Sequence, residues 1–395
     1  MEEAAHGRYK KTMKIIFDKN TLLASLYPAM ATVSNQKTIS SIEGVLIETL
    51  DGNRTRLSTF DMNKGTRATL EAKEVVERGS FIINANRLLQ IIKVLGEDEI
   101  TIAVDDSYTA TVSGGRASFS LSAMRGQDFP SMPDLDGSRG FSLPSSVLKD
   151  MIARVLHSVA DQDTRPMLCG AFFRIGDGQM EIISCDSYTL SRRSVKCDLR
   201  DVGEISVLDF SFIVPGHALN ELVRILEDSE DTVTVKIARK HAIFFMDNIV
   251  FFTRMIDSEY IDYERIIPKD QSIFVRVERN KLLSALERAF LIAEERIQGS
   301  GRSYVKLIVE GDKMNVTSAS VNGKVFDDMP VDHEGEDIEI GFNCRYLINT
   351  VRATEGDELI LAFKSATRCV TVTPGEEDEK RRFFYMVLPV RMNQA

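Results

Sequence analysis

Two carboxylates and a thiol are the side chains of this sequence whose types could do chemistry. Asp61 lies in the segment Thr59-Phe-Asp-Met, and Asp186 follows Cys185 in Ser184-Cys-Asp-Ser. A carboxylate serves as a general acid or base or as a metal ligand, and a cysteine is a nucleophile when a nearby base lowers its pKa. Acting on a nucleic acid, these groups would define a nucleic-acid-modifying enzyme that depends on a metal ion or is sensitive to thiol reagents.

The positions of these groups favour a structural role. Asp61 and Asp186 occupy equivalent positions of an internal repeat, where the third copy has Ser320. Side chains of one active site have to converge, whereas equivalent positions of a repeat are held apart. We therefore predict that both aspartates form turns. We also predict that Cys185, which has no base in its local sequence, is a small buried side chain.

Motifs for cofactors and metal ions are missing from the sequence. No G-x-x-x-x-G-K-[ST] motif occurs, Gly299-Ser-Gly301 lacks the third glycine of a dinucleotide-binding turn, and His333-Glu334 is not continued to H-E-x-x-H. The five cysteines are scattered without a C-x-x-C pair, which favours reduced thiols in a cytoplasm over disulfides or a zinc site. We expect no catalytic residue, no cofactor and no metal.

The elements that position these side chains recur three times. Each copy has an apolar run that we interpret as the opening of a helix, followed at a fixed distance by an acidic turn that leads into a strand. That distance is twelve residues each time, from Asn84 to Gly96, from Pro215 to Glu227 and from Asn343 to Glu355. Because the period is roughly 130 residues, the repeat is a whole domain and not a solenoid unit.

Each copy is predicted to contain two helices and several strands. A strand leads into the first helix of each copy, where Asn20, Ser145 and Asn280 are placed to act as N-caps. Helices segregated to one side of antiparallel strands make an α+β fold. We predict three domains, with boundaries in the Pro-, Asp- and Gly-rich stretch 131–139 and at 268–270. The domains are 13–137, 138–269 and 270–395.

Charge and hydropathy bound the function further. The net charge of -10 would ordinarily argue against a nucleic-acid partner. The predicted helical segments are nevertheless net basic as a group, which suits helices that face phosphates, although ordinary solvated helix faces would show the same charges. No apolar run is long enough to span a membrane, and the first twelve residues lack the apolar core of a signal peptide. We therefore expect a cytoplasmic protein without a membrane partner.

Several segments, taken in their order and spacing, resemble one family. They are Phe119-Ser-Leu-Ser-Ala-Met, Asp128-Phe-Pro-Ser-Met132, Gln162-Asp-Thr-Arg165, Asp262-Tyr-Glu-Arg-Ile-Ile-Pro268, Ile340-Gly-Phe-Asn-Cys-Arg-Tyr346 and Leu388-Pro-Val-Arg391. From Met13 to Met392 the chain resembles the β sliding clamps (β subunits) of bacterial DNA polymerase III. The resemblance implies three clamp domains per chain and a head-to-tail homodimer, in which six domains form a ring with the helices around a central hole. It implies a non-catalytic processivity factor of DNA replication that encircles double-stranded DNA and tethers the polymerase and repair proteins.

The resemblance also implies contact residues for DNA and for the dimer. Non-specific contacts to DNA are implied for Lys37, Arg87, Gln162, Arg165 and His217. The dimer contact is implied to join Ile91, Phe119 and Leu121 of the first domain to Leu291 and Ile292 of the third. Since the nearby segment Val321-Asn-Gly-Lys324 lacks acidic residues, we expect this interface to be mainly apolar.

Partner proteins are implied to bind as short linear peptides in an apolar groove between the second and third domains. These partners would be the polymerase III α subunit, the clamp loader δ subunit and other clamp-motif proteins. The implied groove residues are Leu168, Ser187, Tyr188, Leu190, Arg265, Ile266, Asn343, Tyr346, Met386, Val387, Leu388, Pro389, Val390 and Arg391. Thr189 and Ile261 depart from the arginine and proline that are common in the family, which puts the peptide preference in doubt but not the groove.

Alternatives remain open from the sequence alone. The apolar segment Met386–Arg391 either lines the groove or is only the last strand of a core. The enzyme hypothesis predicts a convergent site, and a third hypothesis is a structural oligomer without DNA, for which the basic helices would be incidental.

Overall fold

The computed structural model describes most of the chain. The described residues are 12–34, 39–137, 139–176, 178–196, 200–202, 209–293, 304–320, 323–376, 378 and 381–392. Antiparallel strands dominate this part of the chain, and helices pack beside them. The prediction of an α+β fold is confirmed.

Six α-helices lie in the described ranges, two for each copy of the repeat. They are α1 (Lys19–Met30), α2 (Ala85–Val94), α3 (Ser145–Ala153), α4 (Gly216–Ile225), α5 (Arg279–Ala293) and α6 (Cys344–Ala353). All six coincide with segments that the sequence predicts as helical.

The chain divides into two compact units. The first comprises Met1–Ser146, Arg200–Val207 and Asn220–Met255. Its strands are β1 (Met13–Asp18), β2 (Gly44–Thr49), β3 (Arg54–Phe60), β4 (Lys64–Glu71), β5 (Glu74–Glu77), β6 (Ser80–Asn84), β7 (Glu99–Val104), β8 (Thr109–Gly114), β9 (Ala117–Arg125), β10 (Arg139–Pro144), β14 (Arg200–Asp201), β16 (Thr232–Ala238), β17 (His241–Met246) and β18 (Ile249–Arg254). They form one antiparallel sheet in the order β14-β10-β16-β17-β18-β4-β3-β2-β6-β9-β8-β7-β1-β5.

The second unit comprises Val147–Leu199, Leu208–Leu219 and Ile256–Ala395. Its strands are β11 (Gly170–Gly176), β12 (Gln179–Cys185), β13 (Thr189–Lys196), β15 (Phe210–Pro215), β19 (Ile273–Glu278), β20 (Val305–Glu310), β21 (Lys313–Ala319), β22 (Lys324–Pro330), β23 (Asp332–Glu334), β24 (Ile338–Phe342), β25 (Glu358–Phe363), β26 (Val370–Pro374) and β27 (Arg381–Val387). One sheet has the order β15-β11-β12-β13-β27-β26-β25-β19-β23, and a smaller one has the order β22-β21-β20-β24.

The sheets run from one copy of the repeat into the next. In the first unit β4 pairs with β18 of the second copy, from Ile249 opposite Ala68 to Thr253 opposite Lys64. In the second unit β13 pairs with the last strand, β27. Because each of these sheets continues from one copy into the next, residues of different copies contact each other closely. The chain therefore divides into two compact units, although the sequence repeats three times. The three domain ranges stay a prediction.

Periodic burial explains why these segments form these elements. In β1 the side chains of Met13, Ile15 and Phe17 are buried and Lys14 is exposed, as expected for a strand with one face on a core. In α2 the side chains of Leu88 and Ile92, four residues apart, are both buried on one helix face. On the opposite face of α2, Asn86, Arg87, Gln90 and Lys93 are exposed.

The N-cap predictions for the first helices are wrong. Asp18, with extended backbone, caps α1 and accepts a hydrogen bond from the Thr21 backbone N–H at 2.9 Å. Asn20, Ser145 and Asn280 are themselves the second, first and second residues of their helices. The error arises because each strand runs almost without a break into its helix, and at α1 the cap is the last residue of the strand.

The apolar runs that we interpret as helix openings are strands. Phe81–Ile83 lies in β6, and α2 begins only at Ala85, after the N-cap Asn84 whose side chain accepts from the Arg87 backbone N–H at 3.0 Å. The equivalent runs lie in β15 and β24. Short apolar runs fit a buried strand or a buried helix equally well. The acidic turns do lead into strands, namely β7, β16 and β25, as predicted.

Candidate functional site

The candidate site is built around the turn that follows β12 in the second unit. Asp186 Oδ1 accepts hydrogen bonds from the backbone N–H groups of Tyr188 at 2.9 Å and Thr189 at 2.6 Å. These bonds fix the turn and hold Ser187 at a φ of 78°, a left-handed conformation that is uncommon for a residue other than glycine. The predicted turn-forming role of Asp186 is confirmed.

The first unit repeats this turn with other side chains. Asp61 Oδ1 accepts from the backbone N–H groups of Asn63 at 3.0 Å and Lys64 at 2.8 Å, and Met62 also has a φ of 78°. Asp61 therefore has the same turn-forming role as its counterpart in the second copy. Each aspartate is committed to its own turn, which is not the convergent arrangement that catalysis needs.

Cys185 lies directly before the second turn and is buried, with 6% of its surface exposed. Burial raises the pKa of its thiol, since desolvation penalises the thiolate. A raised pKa is the opposite of what activates a cysteine nucleophile. The prediction of a small buried side chain is confirmed.

An apolar cluster lies beneath the turn, and we call it the floor. Its buried members are Leu168, Ile183, Cys185, Leu190, Tyr263 and Met386. Leu190 of β13 stands opposite Met386 of β27 in the sheet, so the last strand of the chain brings the two together. The aromatic rings of Phe172 and Tyr260 stack at 5.0 Å between centroids at the edge of the cluster.

Exposed apolar side chains surround the floor, and we call them the rim. They are Tyr188, Ile266 and Leu388, with exposed fractions of 57%, 45% and 38%. Tyr188 stacks on Tyr346 with ring centroids 5.7 Å apart, and the Leu388 backbone N–H donates to the Tyr188 carbonyl at 2.8 Å. Exposed aromatic and aliphatic groups over a buried apolar floor form a surface suited to an apolar partner.

The remaining groove candidates have varied roles. Arg265 is highly exposed and its Nε forms an ion pair with Asp262 Oδ2 at 2.8 Å. Asn343 is the N-cap of α6 and accepts from the Arg345 backbone N–H at 3.1 Å. Val387 is fully buried in β27 and can only support the surface from beneath. Pro389, Val390 and Arg391 continue beyond this strand, and the Val390 backbone N–H donates to the Gly341 carbonyl at 2.9 Å.

The C-terminal segment therefore combines both sequence interpretations. Met386 belongs to the last core strand and to the floor, whereas Leu388 has left the strand and lies in the rim. One short segment serves as core strand and as surface because the strand ends at Val387.

A buried chain of hydrogen bonds beneath the turn was not foreseen from the sequence. Thr189 Oγ1 donates to Asp186 Oδ1 at 3.0 Å and is hydrogen-bonded to Ser158 Oγ at 2.8 Å. Ser158 Oγ lies 2.6 Å from Ser191 Oγ, which lies 3.2 Å from His157 Nε2. Burial lowers the pKa of His157 to about 4, so the imidazole is neutral at pH 7. Contacts between residues about thirty positions apart leave no local sequence signal.

Arg165 lies close to the same turn. Its Nε and Nη2 donate to Asp163 Oδ1 and Oδ2, each at 3.0 Å, and Nη2 also donates to Ser187 Oγ at 2.5 Å. The side-chain hydrogen bond from Arg165 is the main cause that lowers the pKa of Asp163 to about 2. Arg165 thus connects the loop that contains the exposed Gln162 to Ser187, in the turn that carries Tyr188.

The second helix of each copy carries exposed cations. These cations are Arg87 and Lys93 on α2, Arg224 on α4, and Arg345 and Arg352 on α6, and the exposed His217 also lies on α4. Counted from the start of each repeat motif, Lys93, Arg224 and Arg352 hold the same position. Lys37, the remaining candidate for DNA contact, lies outside the described residues.

A free strand edge of the first unit and a helix of the second unit carry exposed apolar side chains. Strand β9 pairs with β6 only over 123–125, so 117–122 have one free edge, where Phe119 is 37% exposed and Leu121 is half-buried. In the second unit Leu291 of α5 is 74% exposed, and its neighbour Ile292 is half-buried. Ile91, with 8% exposure, lies mainly in the core of the first unit.

The edge strand β22 adds a residue that the sequence analysis missed. Phe326 is 67% exposed on this strand, which pairs only with β21. The residues of 324–330, Lys-Val-Phe-Asp-Asp-Met-Pro, do not alternate between apolar and polar types although their burial does, so no local pattern identifies Phe326 as exposed.

In the first unit, the counterpart of the floor is filled. Gly65 stands where the second copy has Leu190, and Phe252 stands opposite Gly65 as Met386 stands opposite Leu190. A Cβ atom on Gly65 would lie only 2.4 Å from Phe252 Cζ, so the phenylalanine ring occupies this space. Lys64, at the position of Thr189, is buried and forms an ion pair with Asp61 Oδ2 at 2.6 Å.

An ion-pair cluster around the buried Arg193 joins α3, β13 and the acidic turn after α6, and its other side chains are 26% to 31% exposed. Arg193, only 1% exposed, lies with its Nη2 atom 2.8 Å from Asp150 Oδ2 and 3.3 Å from Glu355 Oε1. Arg154 contacts the same two carboxylates and donates to the Ala353 carbonyl at 3.0 Å. The cluster therefore joins the second and third copies of the repeat within the second unit.

Neither a metal-binding group of side chains nor a membrane-spanning helix occurs in the described part of the chain. Within the ranges that the structure describes, no three His, Cys, Asp or Glu side chains are grouped as they would be around a metal ion. None of the helices described above is long and apolar enough to cross a membrane.

Comparison with known proteins places this geometry in one family. The chain matches the N-terminal, central and C-terminal domains of the DNA polymerase III beta subunit over 13–133, 142–262 and 264–391. Three matches in this order cover nearly the whole chain.

Individual relatives agree with the domain matches. The beta sliding clamp of Halalkalibacterium halodurans is 29% identical over 385 residues, which span 94% of this chain and 98% of that protein. The beta sliding clamp of Bacillus subtilis is 27% identical over 390 residues, spanning 96% of this chain and 100% of that protein. A crystal structure of the DNA polymerase sliding clamp from Bacillus subtilis is similar with a TM-score of 0.87 and 25% identity, over 96% of this chain and 99% of that one.

Proposed function

Because the chain belongs to the DNA polymerase III beta subunit family, we propose that it is a sliding clamp that encircles duplex DNA as a ring-shaped homodimer. The observation that carries this proposal is the match of all three family domains, in order, over 13–391. The family is a non-catalytic processivity subunit, and the enzyme hypothesis is not favoured. A non-catalytic role agrees with two observations of the structure. Asp61 and Asp186 each form a turn, and the pKa of the Cys185 thiol is raised.

The exposed cations of the second helices support the DNA contact. Lys93, Arg224 and Arg352 recur at one position of each copy, so a ring of six copies would present six equivalent cations to the phosphates. Contacts to phosphates carry no sequence information and allow sliding. Binding by such contacts alone weakens steeply with salt, whereas a closed ring is retained by its topology. An acidic protein can therefore stay on DNA.

Retention on circular DNA tests the proposed function. A clamp loader with ATP first loads the protein onto nicked circular DNA. The protein is then expected to co-elute with the DNA at about 0.5 M salt, a concentration at which purely electrostatic binding is largely lost. Cutting the circle with a restriction enzyme should release it, since a ring slides off a free end. Gel filtration of labelled protein measures both states.

The same experiment contains its control. Circular DNA incubated without the loader should retain no protein, because the sequence contains no nucleotide-binding motif with which the ring could open itself. Retention that survives linearisation would contradict encirclement and indicate direct binding.

The dimer is proposed to form between the free edge of β9 and the α5–β22 region of a second copy. Both sides of the proposed contact supply apolar area. One side has Phe119 and Leu121, and the other has Leu291, Ile292 and Phe326. Free strand edges pair readily with another chain. Ile91 contributes from the core behind the surface.

Sedimentation measures this association directly. At micromolar concentration the protein is expected to sediment as a dimer, and Leu291→Asp should give monomers because it places a charge in an apolar contact. Val76→Asp, at an exposed apolar residue of β5, is the matched control and should remain dimeric. A wild-type protein that sediments only as a monomer would exclude the ring.

The apolar surface of the second unit is proposed to bind short peptides of the polymerase III α subunit, the clamp loader δ subunit and other clamp-motif proteins. Burial of each apolar anchor contributes roughly 1.5–3 kcal/mol. After the cost of ordering a flexible peptide, a few anchors leave an affinity near the micromolar range, about -8 kcal/mol. Two such surfaces in a dimer add avidity and still permit exchange of partners. We propose that the protein acts in the cytoplasm, where the DNA of a bacterial cell lies.

A further inference from the structure

The turn that carries Tyr188 is attached from below to a chain of buried hydroxyl groups. Thr189 is 2% exposed, and Ser158 and Ser191 are fully buried. Each of the three side chains is within hydrogen-bond distance of the next, and the chain ends on the Asp186 carboxylate at one side and on His157 at the other. Because buried hydroxyl groups are costly when they lack partners, such a chain stabilises one arrangement of the turn.

Asp186 transmits this arrangement to the exposed rim. Its Oδ1 atom accepts from the Thr189 hydroxyl and also from the backbone N–H groups of Tyr188 and Thr189. The orientation of the carboxylate therefore depends on the Thr189 hydroxyl, and the backbone of Tyr188 depends on the carboxylate. The left-handed backbone of Ser187, which is strained for a residue with a side chain, needs this support.

The rim in turn depends on Tyr188. Its carbonyl accepts the Leu388 backbone N–H at 2.8 Å, and its ring stacks on Tyr346. Moving the backbone of Tyr188 would shift both the aromatic pair and the start of the C-terminal segment. The buried chain and the exposed rim are therefore parts of one connected structure.

We propose that Thr189 is a positioning residue of the peptide surface, whose hydroxyl sets the peptide affinity by holding the turn that presents Tyr188. The inference rests on the proposed function, because it assigns a role in that same surface. Thr189 makes no contact with the peptide in this account, since nearly all of its surface is buried and its hydroxyl is bonded within the protein. It acts through Asp186 and Tyr188.

Two substitutions at this position separate the hydroxyl from the shape of the side chain. Thr189→Val keeps the volume and removes the hydroxyl, whereas Thr189→Ser keeps the hydroxyl and removes a methyl group. The probe is a fluorescein-labelled decapeptide, chosen as the best binder from an array that tiles the α and δ subunits of the same cell. We expect Thr189→Val to weaken binding about tenfold and Thr189→Ser to stay within about twofold of the wild type.

A double-mutant cycle distinguishes positioning from a general loss of stability. In a Tyr188→Ala background the turn has no ring to present, so Thr189→Val should cause no further loss of affinity. A merely structural role would lower the affinity by the same factor in both backgrounds. An undiminished loss in the Tyr188→Ala background, or wild-type affinity of Thr189→Val, would overturn the inference.

A second variant covers the case in which Thr189→Val does not fold. Ser158→Ala leaves the bond from Thr189 to Asp186 in place but removes the other partner of the Thr189 hydroxyl, which then no longer has a fixed orientation. It should therefore weaken peptide binding in the same direction, about fivefold at most. Circular dichroism and the thermal midpoint report on folding in each variant. If the wild-type protein is retained on circular DNA but binds no peptide of the array, the peptide surface itself is refuted and the inference fails with it. If the wild type binds and the hydroxyl variants bind equally well, only the inference fails.

Discussion

Replacement of both Met386 and Leu388 by alanine is expected to abolish peptide binding and to leave the dimer intact. Met386 forms part of the floor opposite Leu190, and Leu388 lies exposed in the rim. Truncation of the exposed Leu388 removes up to roughly 1.5–3 kcal/mol of apolar contact with the peptide. Met386 has little surface left to bury, so its truncation acts by leaving a cavity under the peptide, and together the two changes move a micromolar affinity toward the millimolar range. Fluorescence anisotropy with the labelled decapeptide measures the loss, and sedimentation confirms that the dimer persists.

The controls separate lost contacts from lost folding. Met386 is 4% exposed, so its truncation also leaves a cavity that lowers the free energy of unfolding by about 2–5 kcal/mol. Leu388→Ala alone should weaken the peptide with little effect on urea unfolding. Phe274→Ala, at a residue of β19 that is 40% exposed, is the matched control and should bind normally. A folded double variant with wild-type affinity would disprove the assignment of this surface.

Arg193→Met is expected to destabilise the protein by about 3–5 kcal/mol, because it removes a buried cation from between two partly exposed carboxylates. The guanidinium is 1% exposed and contacts Asp150 and Glu355. Arg154 still pairs with both carboxylates in the variant, which places the expected loss toward the lower end of that range. Urea unfolding followed by circular dichroism gives the change in the free energy of unfolding.

An exposed ion pair supplies the comparison for this variant. Arg125 pairs with Asp128 at 3.0 Å, and both side chains are largely exposed. Since solvent screens such pairs, Arg125→Met should cost at most about 1 kcal/mol. If Arg193→Met cost no more than this control, the cluster around Arg193 would not be what holds the second and third copies together.

Parts of the fold with strong local signals could be predicted from the sequence. The helices α2, α4 and α6 follow from apolar residues at helical spacing, and the turns of Asp61 and Asp186 follow from their place in the repeat. The strand-to-helix junctions could not be predicted, because a short apolar run such as Phe81–Ile83 suits either element until its sheet partners are known. The N-cap Asp18 was missed for the same reason.

The candidate site shows where sequence reasoning ends. Resemblance to a family located Leu190, Tyr188 and Met386, and the structure brings them together through the pairing of β13 with β27. It did not locate the hydrogen bonds from Thr189 to Ser158 and onward, because these connect hydroxyl groups far apart in sequence. Serine and threonine are mostly exposed in proteins, so only tertiary structure reveals which of them are buried partners.

The filled junction of the first unit bears on how duplicated domains diverge. The two aspartate turns share one backbone, and the difference beneath them comes down to which residues face each other, Gly65 with Phe252 or Leu190 with Met386. A few side-chain differences therefore fill the junction under one turn and leave an apolar floor under the other, where we propose that peptides bind. On this proposal, an inhibitor directed at the peptide surface would have one target site on each chain, in the second unit.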